Sequence, residues 1–273
     1  MLKKTLKKVK EVCPLIHNIT NYVTVNDCAN ILLACGASPI MADDIAEVEE
    51  ITSICGGLTI NIGTLNERTI ESMILAGRKS NLLNHSVVLD PVGVGASKFR
   101  TNTVEKLLKE IQFTAIHGNV SELKALAIGS SSTTGVDANI NDKITQSNIQ
   151  EVVQLAKNFS KESQAIIIVT GAIDIVCDAN QAYIIKNGHP MMSKVSGTGC
   201  MLSTMITAYL TANPDDKLLA SATAVILMGL AGELAFNRLS EYEGNLTYRD
   251  LIIDEIYNMD GNILEQKAKY KIC

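Results

Sequence analysis

Short β-branched runs alternate along the chain with longer stretches in which apolar residues recur at helical spacing. Strands are predicted at Leu15–Ile19, 59–62, 87–90, 115–117, 166–169, 175–177 and 183–185. Several of these runs are apolar without alternation, as expected of strands covered on both faces. Helices are predicted between them at 26–35, 65–79, 103–111 and 149–159. Thr64-Leu65-Asn66-Glu67 reads as a capping box opening the second of these, and Gly36 stands where the first should stop. The rhythm predicts an α/β fold with a mostly parallel central sheet flanked by helices on both faces, and one domain over 1–273. The interval 173–185, broken by Asp178-Ala179-Asn180-Gln181, reads instead as an antiparallel hairpin. After Cys200 the pattern is mostly helical.

Two segments test for membrane or export signals. Lys3, Lys4, Lys7, Lys8 and Lys10 resemble a basic leader, but Glu11 and Pro14 arrive before any apolar segment, so a short helix with Leu2, Leu6 and Val9 inward is expected. The charge-free stretch 218–232 is below spanning length and contains Ser221, Thr223 and Gly229, which predicts a buried core helix. A net charge of −5, no Trp and 4% aromatic residues argue against nucleic acid as a partner. Seven cysteines form no C-x-x-C pair, which disfavours a zinc site or a disulfide framework. Reduced thiols in the cytoplasm are the expectation.

In open sheets of this kind, ligands gather beyond the carboxyl ends of the strands. Four strand ends carry suggestive residues. Asp90 precedes Pro91-Val92-Gly93-Val94-Gly95. His117 precedes Gly118-Asn119-Val120-Ser121-Glu122, and Thr170-Gly171 ends another run. The fourth, Val195-Ser196-Gly197-Thr198-Gly199-Cys200, feeds the apolar helical run 201–210, whose N-terminus favours an anion. Each has an ordinary alternative. Asp90 and Thr170-Gly171 are turn residues elsewhere, Asn119 with Glu122 is a capping pair, G-x-G is a turn signal, and a free Cys is commonly a small buried apolar residue. Their conjunction suits phosphoryl transfer, with Asp90 and Glu122 for a divalent cation, the Gly197–Cys200 loop for developing charge, and Cys200 as candidate base with its pKa drawn toward neutrality by the helix end. Lys98 stands where a dinucleotide fingerprint needs Gly, and neither G-x-x-x-x-G-K-[ST] nor G-x-S-x-G occurs.

Pro14-Leu15-Ile16-His17-Asn18-Ile19-Thr20-Asn21, Gly36-Ala37-Ser38-Pro39-Ile40-Met41-Ala42, the Asp90 loop, the 118–122 run and Gly197-Thr198-Gly199-Cys200 resemble, in order, the motifs of hydroxyethylthiazole kinases, ribokinase-like enzymes of thiamine biosynthesis and salvage. The similarity runs from about Pro14 to Asn237, and Cys200 sets it apart from the wider superfamily, which usually carries Asp there. It implies ATP-dependent, Mg²⁺-assisted phosphorylation of the primary alcohol of 4-methyl-5-(2-hydroxyethyl)thiazole by a homotrimer with active sites between subunits. By position, Asn21, Val23, Asn26, Met41 and Gly197 would meet the thiazole, and Thr170, Asn119 and His117 the nucleotide. Two departures accompany the resemblance. His117 replaces the usual Arg, and Asp43-Asp44 follows Met-Ala where the family is less acidic. A neutral imidazole is no substitute for an Arg fork on phosphates.

Alternatives from other classes are a ribokinase-like kinase of another small alcohol, a nucleotide-dependent dehydratase, and a non-catalytic thiazole-binding protein.

Overall fold

The computed structural model describes residues 1–128, 144–145 and 147–273. The first half of the chain runs α1 (Leu2–Val12), β1 (Leu15–Ile19), α2 (Val25–Cys35), β2 (Ser38–Met41), α3 (Val48–Ile54), β3 (Gly57–Asn61), α4 (Glu67–Leu82), β4 (Ser86–Asp90), α5 (Lys98–Glu110), β5 (Ala115–Asn119) and α6 (Val120–Ile128). The second runs α7 (Ile149–Ser163), β6 (Ile166–Thr170), β7 (Asp174–Cys177), β8 (Ala182–Ile185), α8 (Thr198–Ala212), α9 (Lys217–Arg238), α10 (Asn245–Asn258), α11 (Gly261–Lys267) and β9 (Tyr270–Ile272). All the strands join one sheet in the order β2-β1-β3-β4-β5-β6-β7-β8-β9. Pairing is parallel from β2 to β6 and antiparallel from β6 to β9.

Successive strand residues enter opposite cores, which explains the unalternating apolar runs. Val87 and Leu89 belong to one buried cluster and Val88 to the other, and Ile167 and Val169 are likewise separated from Ile166 and Ile168. One core is closed by α1, α2, α8, α9 and α10, the other by α4, α5, α6 and α7. A fully buried Val or Leu contributes about 1.5–3 kcal/mol on either face, so hydrophobicity alone does not forbid a one-residue slip. Polar positions supply the register. Thr59 hydrogen-bonds Thr207 at 2.7 Å, and Asn61 sits opposite Asp90.

Several expectations need correction. The helix after Thr64 starts later, because Asn66 is the cap and accepts from the Thr69 N–H at 3.1 Å, whereas the Thr64 hydroxyl accepts from the Tyr22 N–H. The 218–232 core helix extends over Lys217–Arg238, long and apolar enough by itself to cross a membrane, and what marks it as a core helix is that 83% of its apolar window is buried inside the protein. β2, α3 and β9 escaped the sequence pattern. β2 is short and contains Pro39, which an edge strand tolerates, and β9 is exposed throughout.

Candidate active site

Four strand tips and one helix N-terminus meet at the carboxyl edge of the sheet. In β3 and β4 the register pairs Asn61 with Asp90, and in β5 and β6 it pairs Asn119 with Thr170. α8 packs against β3 and β4, bringing the start of that helix to the same edge. Gly197 occupies its N-cap position with φ of 92°, and among the described residues no side chain caps this end, so the first N–H groups of α8 are available to a ligand.

Two backbone amides orient the buried polar network beneath that helix. The Thr24 N–H donates to Asn21 Oδ1 at 3.2 Å, which turns the Asn21 amide nitrogen toward Asn61 Oδ1 (3.0 Å) and Cys200 Sγ (3.2 Å). The Gly63 N–H donates to Asn61 Oδ1 at 2.8 Å, which turns Asn61 Nδ2 onto Asp90 Oδ2 at 2.7 Å. Ser203 Oγ donates to the same carboxylate oxygen, also at 2.7 Å. On the far side of Ser203 lies His117 Nδ1 at 2.7 Å, and His117 Nε2 is 3.2 Å from Thr170 Oγ1. Cys200, Asp90, His117 and Thr170, from four separate elements, are thus joined by one set of hydrogen bonds.

Glu122 does two jobs with its two oxygens. Oε2 accepts from the Asn119 N–H while Asn119 Oδ1 accepts from the Glu122 N–H, which is the expected capping pair closed in both directions. Oε1 accepts from the Gly93 N–H at 2.8 Å, tying the loop after Asp90 to the start of α6. Arg100 braces that loop from the other side by donating to the carbonyls of Val92, Ile62 and Gly63. Among the described residues no group of three or more His, Cys, Asp or Glu side chains is placed to hold a metal.

Electrostatics separates the titratable groups. Burial pushes the Asp90 carboxyl up to about 7, the Glu122 charge adds to this, and hydrogen bonds from Ser203 and Asn61 oppose it. Burial holds His117 neutral, its pKa down at about 4. The Cys200 thiol does not reach the near-neutral pKa expected of a helix N-terminus. Burial and the Asp90 charge raise it, and hydrogen bonds from Thr24, Asn61 and Asn21 pull it down without cancelling them.

Not every residue expected at the site faces outward. Asn21 and His117 are buried, with their polar atoms taken up by protein partners, so neither presents a free group at the strand tips. Asn119 and Gly199 are exposed, and Thr170, Thr198, Cys200 and Glu122 are partly buried. Val23 is 62% exposed just before α2, Asn26 lies in its first turn with its side-chain oxygen bonded to Asn30, and Met41 ends the edge strand β2. These three stand outside the network. The acidic departure Asp43-Asp44 is paired with Arg68 on the surface. Sequence reasoning missed Asn61, Ser203 and Arg100. The available signals were an Asn closing the strand run Leu58-Thr59-Ile60 and a polar stripe at Ser203, Thr204 and Thr207 in an otherwise apolar helix.

Two expected results follow from this geometry. A Cβ on Gly197 would lie 2.4 Å from Thr24 Cγ2 in a left-handed conformation, whereas one on Gly199 meets nothing nearer than His117 Cε1 at 3.9 Å. Gly197→Ala should therefore cost about 1–3 kcal/mol and most of the activity, while Gly199→Ala should keep its melting temperature. Equal melting temperatures for Gly197→Ala and wild type would contradict the close packing. The second result concerns pH. Because its folded pKa is raised to about 7, Asp90 favours the fold most at acid pH, and this contribution disappears as pH rises through about 7. His117, lowered to about 4, acts oppositely, destabilising the fold as pH falls below its ordinary value near ~6.5. Asp90→Asn should leave the His117 effect uncompensated, so the unfolding free energy from urea titrations in Mg²⁺-free buffer should fall on acidification more steeply than in wild type, by on the order of 1–4 kcal/mol across that window. Parallel pH profiles would contradict the assignment.

Comparison with known proteins places this geometry. A profile described as the hydroxyethylthiazole kinase family matches residues 6–262. The chain is 60% identical over 271 residues to a hydroxyethylthiazole kinase of Clostridium acetobutylicum, covering 99% of each chain. It superimposes on a solved hydroxyethylthiazole kinase of Pyrococcus horikoshii with a TM-score of 0.88 at 33% identity, covering 100% of this chain and 98% of the other. A ribokinase-like superfamily protein of Enterococcus faecalis shares the fold at a TM-score of 0.61 and 13% identity over 93% of both chains. The fold is ribokinase-like, and the chain belongs to the hydroxyethylthiazole kinase family.

Proposed function

We propose that this protein transfers the terminal phosphoryl group of ATP to the primary alcohol of 4-methyl-5-(2-hydroxyethyl)thiazole, in thiamine biosynthesis or salvage. The observation that carries this reading is the buried network joining Cys200, at the uncapped start of α8, to Asp90 at the tip of β4. The acceptor hydroxyl would lie against Cys200, whose thiolate form accepts the departing proton late in the transfer and becomes the thiol, with the Asn21 N–H directed at the sulfur favouring that form. The first N–H groups of α8, from Thr198, Gly199 and Cys200, face the migrating phosphoryl and stabilise its charge without reorganisation. Asn119 and Thr170, adjacent across β5 and β6, meet the nucleotide.

Asp90 and Glu122 suit a cation because they lie close enough for one carboxylate to raise the other's pKa, and a divalent ion relieves that repulsion. Two carboxylates shared with phosphates and water suit Mg²⁺ better than a closed set of protein ligands. Bound there, Mg²⁺ would neutralise charge on the phosphates. Tyr22 and Val23, 77% and 62% exposed beside Asn21, together with Asn26 and Met41, would line a thiazole pocket completed by a second subunit of a homotrimer. The chain would act as a single domain over 1–273 in the cytoplasm.

The test is a coupled ADP-release assay with a panel of small alcohols, with and without Mg²⁺. Release should be fastest with the hydroxyethyl thiazole and should require the cation. A preference for another alcohol, or tight thiazole binding without ADP release, would overturn the reading.

A further inference from the structure

The polar chain behind the strand tips has a definite hydrogen-bond direction, which follows from atoms whose donor or acceptor role is fixed. The Gly63 N–H marks Asn61 Oδ1 as the acceptor and so leaves Asn61 Nδ2–H to donate to Asp90 Oδ2 at 2.7 Å. With Asp90 ionised, as it must be to hold a cation, that carboxylate oxygen can only accept. Ser203 lies 2.7 Å from it and has a single hydroxyl hydrogen. If that hydrogen pointed at His117, two oxygens would face each other at 2.7 Å with nothing between them. Ser203 instead turns its hydrogen toward Asp90 and offers His117 Nδ1 only a lone pair at 2.7 Å. The hydrogen of that bond must sit on Nδ1. A neutral imidazole then has a bare Nε2, and Thr170 Oγ1–H donates to it at 3.2 Å.

We propose that His117 is a positioning residue, held as its Nδ1–H tautomer, that links the Asp90 carboxylate through Ser203 to Thr170 and makes Thr170 meet the nucleotide as a hydrogen-bond acceptor. His117 is 2% exposed and Ser203 fully buried, so neither touches substrate. Thr170 is the partly buried end of the chain. With its hydrogen committed to His117, its oxygen repels phosphate oxygens and accepts from an O–H or N–H of the nucleotide. The group that replaces an arginine here thus does not take over phosphate binding; it orders the second layer. This inference rests on reading Asp90 and Thr170 as the cation-side and nucleotide-side residues, but its first test does not.

That test is ¹⁵N NMR of the histidine-labelled, ligand-free protein, with the His117 ring assigned by its loss in His117→Asn. The expected spectrum, taken on the alkaline side of neutrality where Asp90 is ionised, has the proton on Nδ1 and an unprotonated Nε2, and a proton on Nε2 there overturns the proposal. The second test is kinetic. The amide of His117→Asn reaches the Nδ1 position and keeps a donor for Ser203, whereas that of His117→Gln reaches the Nε2 position and keeps an acceptor for Thr170. Loss of one hydrogen bond corresponds to about 2–10-fold. His117→Asn should raise KM for ATP by that factor while keeping the Mg²⁺ requirement, and His117→Gln should raise the Mg²⁺ needed for half-maximal rate while keeping KM for ATP. Identical behaviour of the two folded variants overturns the proposal. Failure of the underlying reading shows elsewhere, as an unchanged Mg²⁺ requirement in Asp90→Asn.

Discussion

Asp90→Asn should fold and bind the thiazole while turning over about 10³-fold more slowly than wild type. The fold survives because the carbonyl oxygen of the new amide can take the place of Oδ2, keeping the donors from Asn61 and Ser203. Turnover does not survive, because a neutral amide neither holds a divalent cation nor stabilises the charge of phosphoryl transfer, and electrostatic contributions of this kind supply several kcal/mol. Glu122→Gln should behave differently. Its oxygens hold the N–H groups of Gly93 and Asn119, and an amide keeps an acceptor for only one of them, so the loop after Asp90 should loosen by about 1 kcal/mol in addition to a fall in rate. A Mg²⁺ titration of kcat for both variants, beside equilibrium thiazole binding, separates these effects. Normal turnover by Asp90→Asn at any Mg²⁺ concentration would remove the carboxylate from the mechanism.

Cys200→Ala is expected to lose about 10²-fold in kcat, the lower end of what a general base contributes. The structure favours the lower end for two reasons. Burial and the Asp90 charge raise the thiol pKa, leaving little thiolate at neutral pH, and a loose phosphoryl-transfer transition state needs little proton removal. With the pKa raised, thiolate accumulates only toward alkaline pH, so kcat should climb with pH above neutrality in wild type. The same climb should be absent in the Ala variant. Cys200→Asp should recover part of the loss, since a carboxylate is a base at every neutral pH. Thiazole should slow alkylation of Cys200. An Ala variant that follows the wild-type pH profile would leave the α8 amides as the main source of catalysis.

The central strands were legible because burial on both faces makes a strand an unbroken apolar run, as in Val87–Leu89 and Ile166–Val169, and the hairpin was legible because the turn Asp178-Ala179-Asn180-Gln181 breaks its pattern. β2 and β9 were not, since an edge strand with Pro39 and an exposed three-residue strand lack that signal. The placement of Asp90, Thr170 and the Gly197–Cys200 loop at one sheet edge was legible because each closes an apolar strand run or opens an apolar helix. The connections were not. Asn61 meets Asp90 across 29 residues, Ser203 across 113, and His117 meets Ser203 across 86, so only the tertiary fold brings them together. The resemblance implied that His117 meets the nucleotide, whereas in the structure it is buried with both ring nitrogens within hydrogen-bond distance of Ser203 and Thr170. The same burial reversed the expected direction of the Cys200 pKa, because a helix end lowers a thiol pKa only where desolvation and a nearby carboxylate do not outweigh it.

The most direct test of the central claim is to identify the phosphorylated product. Purified protein incubated with ATP, Mg²⁺ and 4-methyl-5-(2-hydroxyethyl)thiazole should show, by ³¹P NMR, a new monophosphate ester resonance growing one for one with ADP and disappearing with chelator. ADP accompanied only by inorganic phosphate, or no turnover of ATP with the thiazole bound, would contradict the assignment of this strand edge to alcohol phosphorylation.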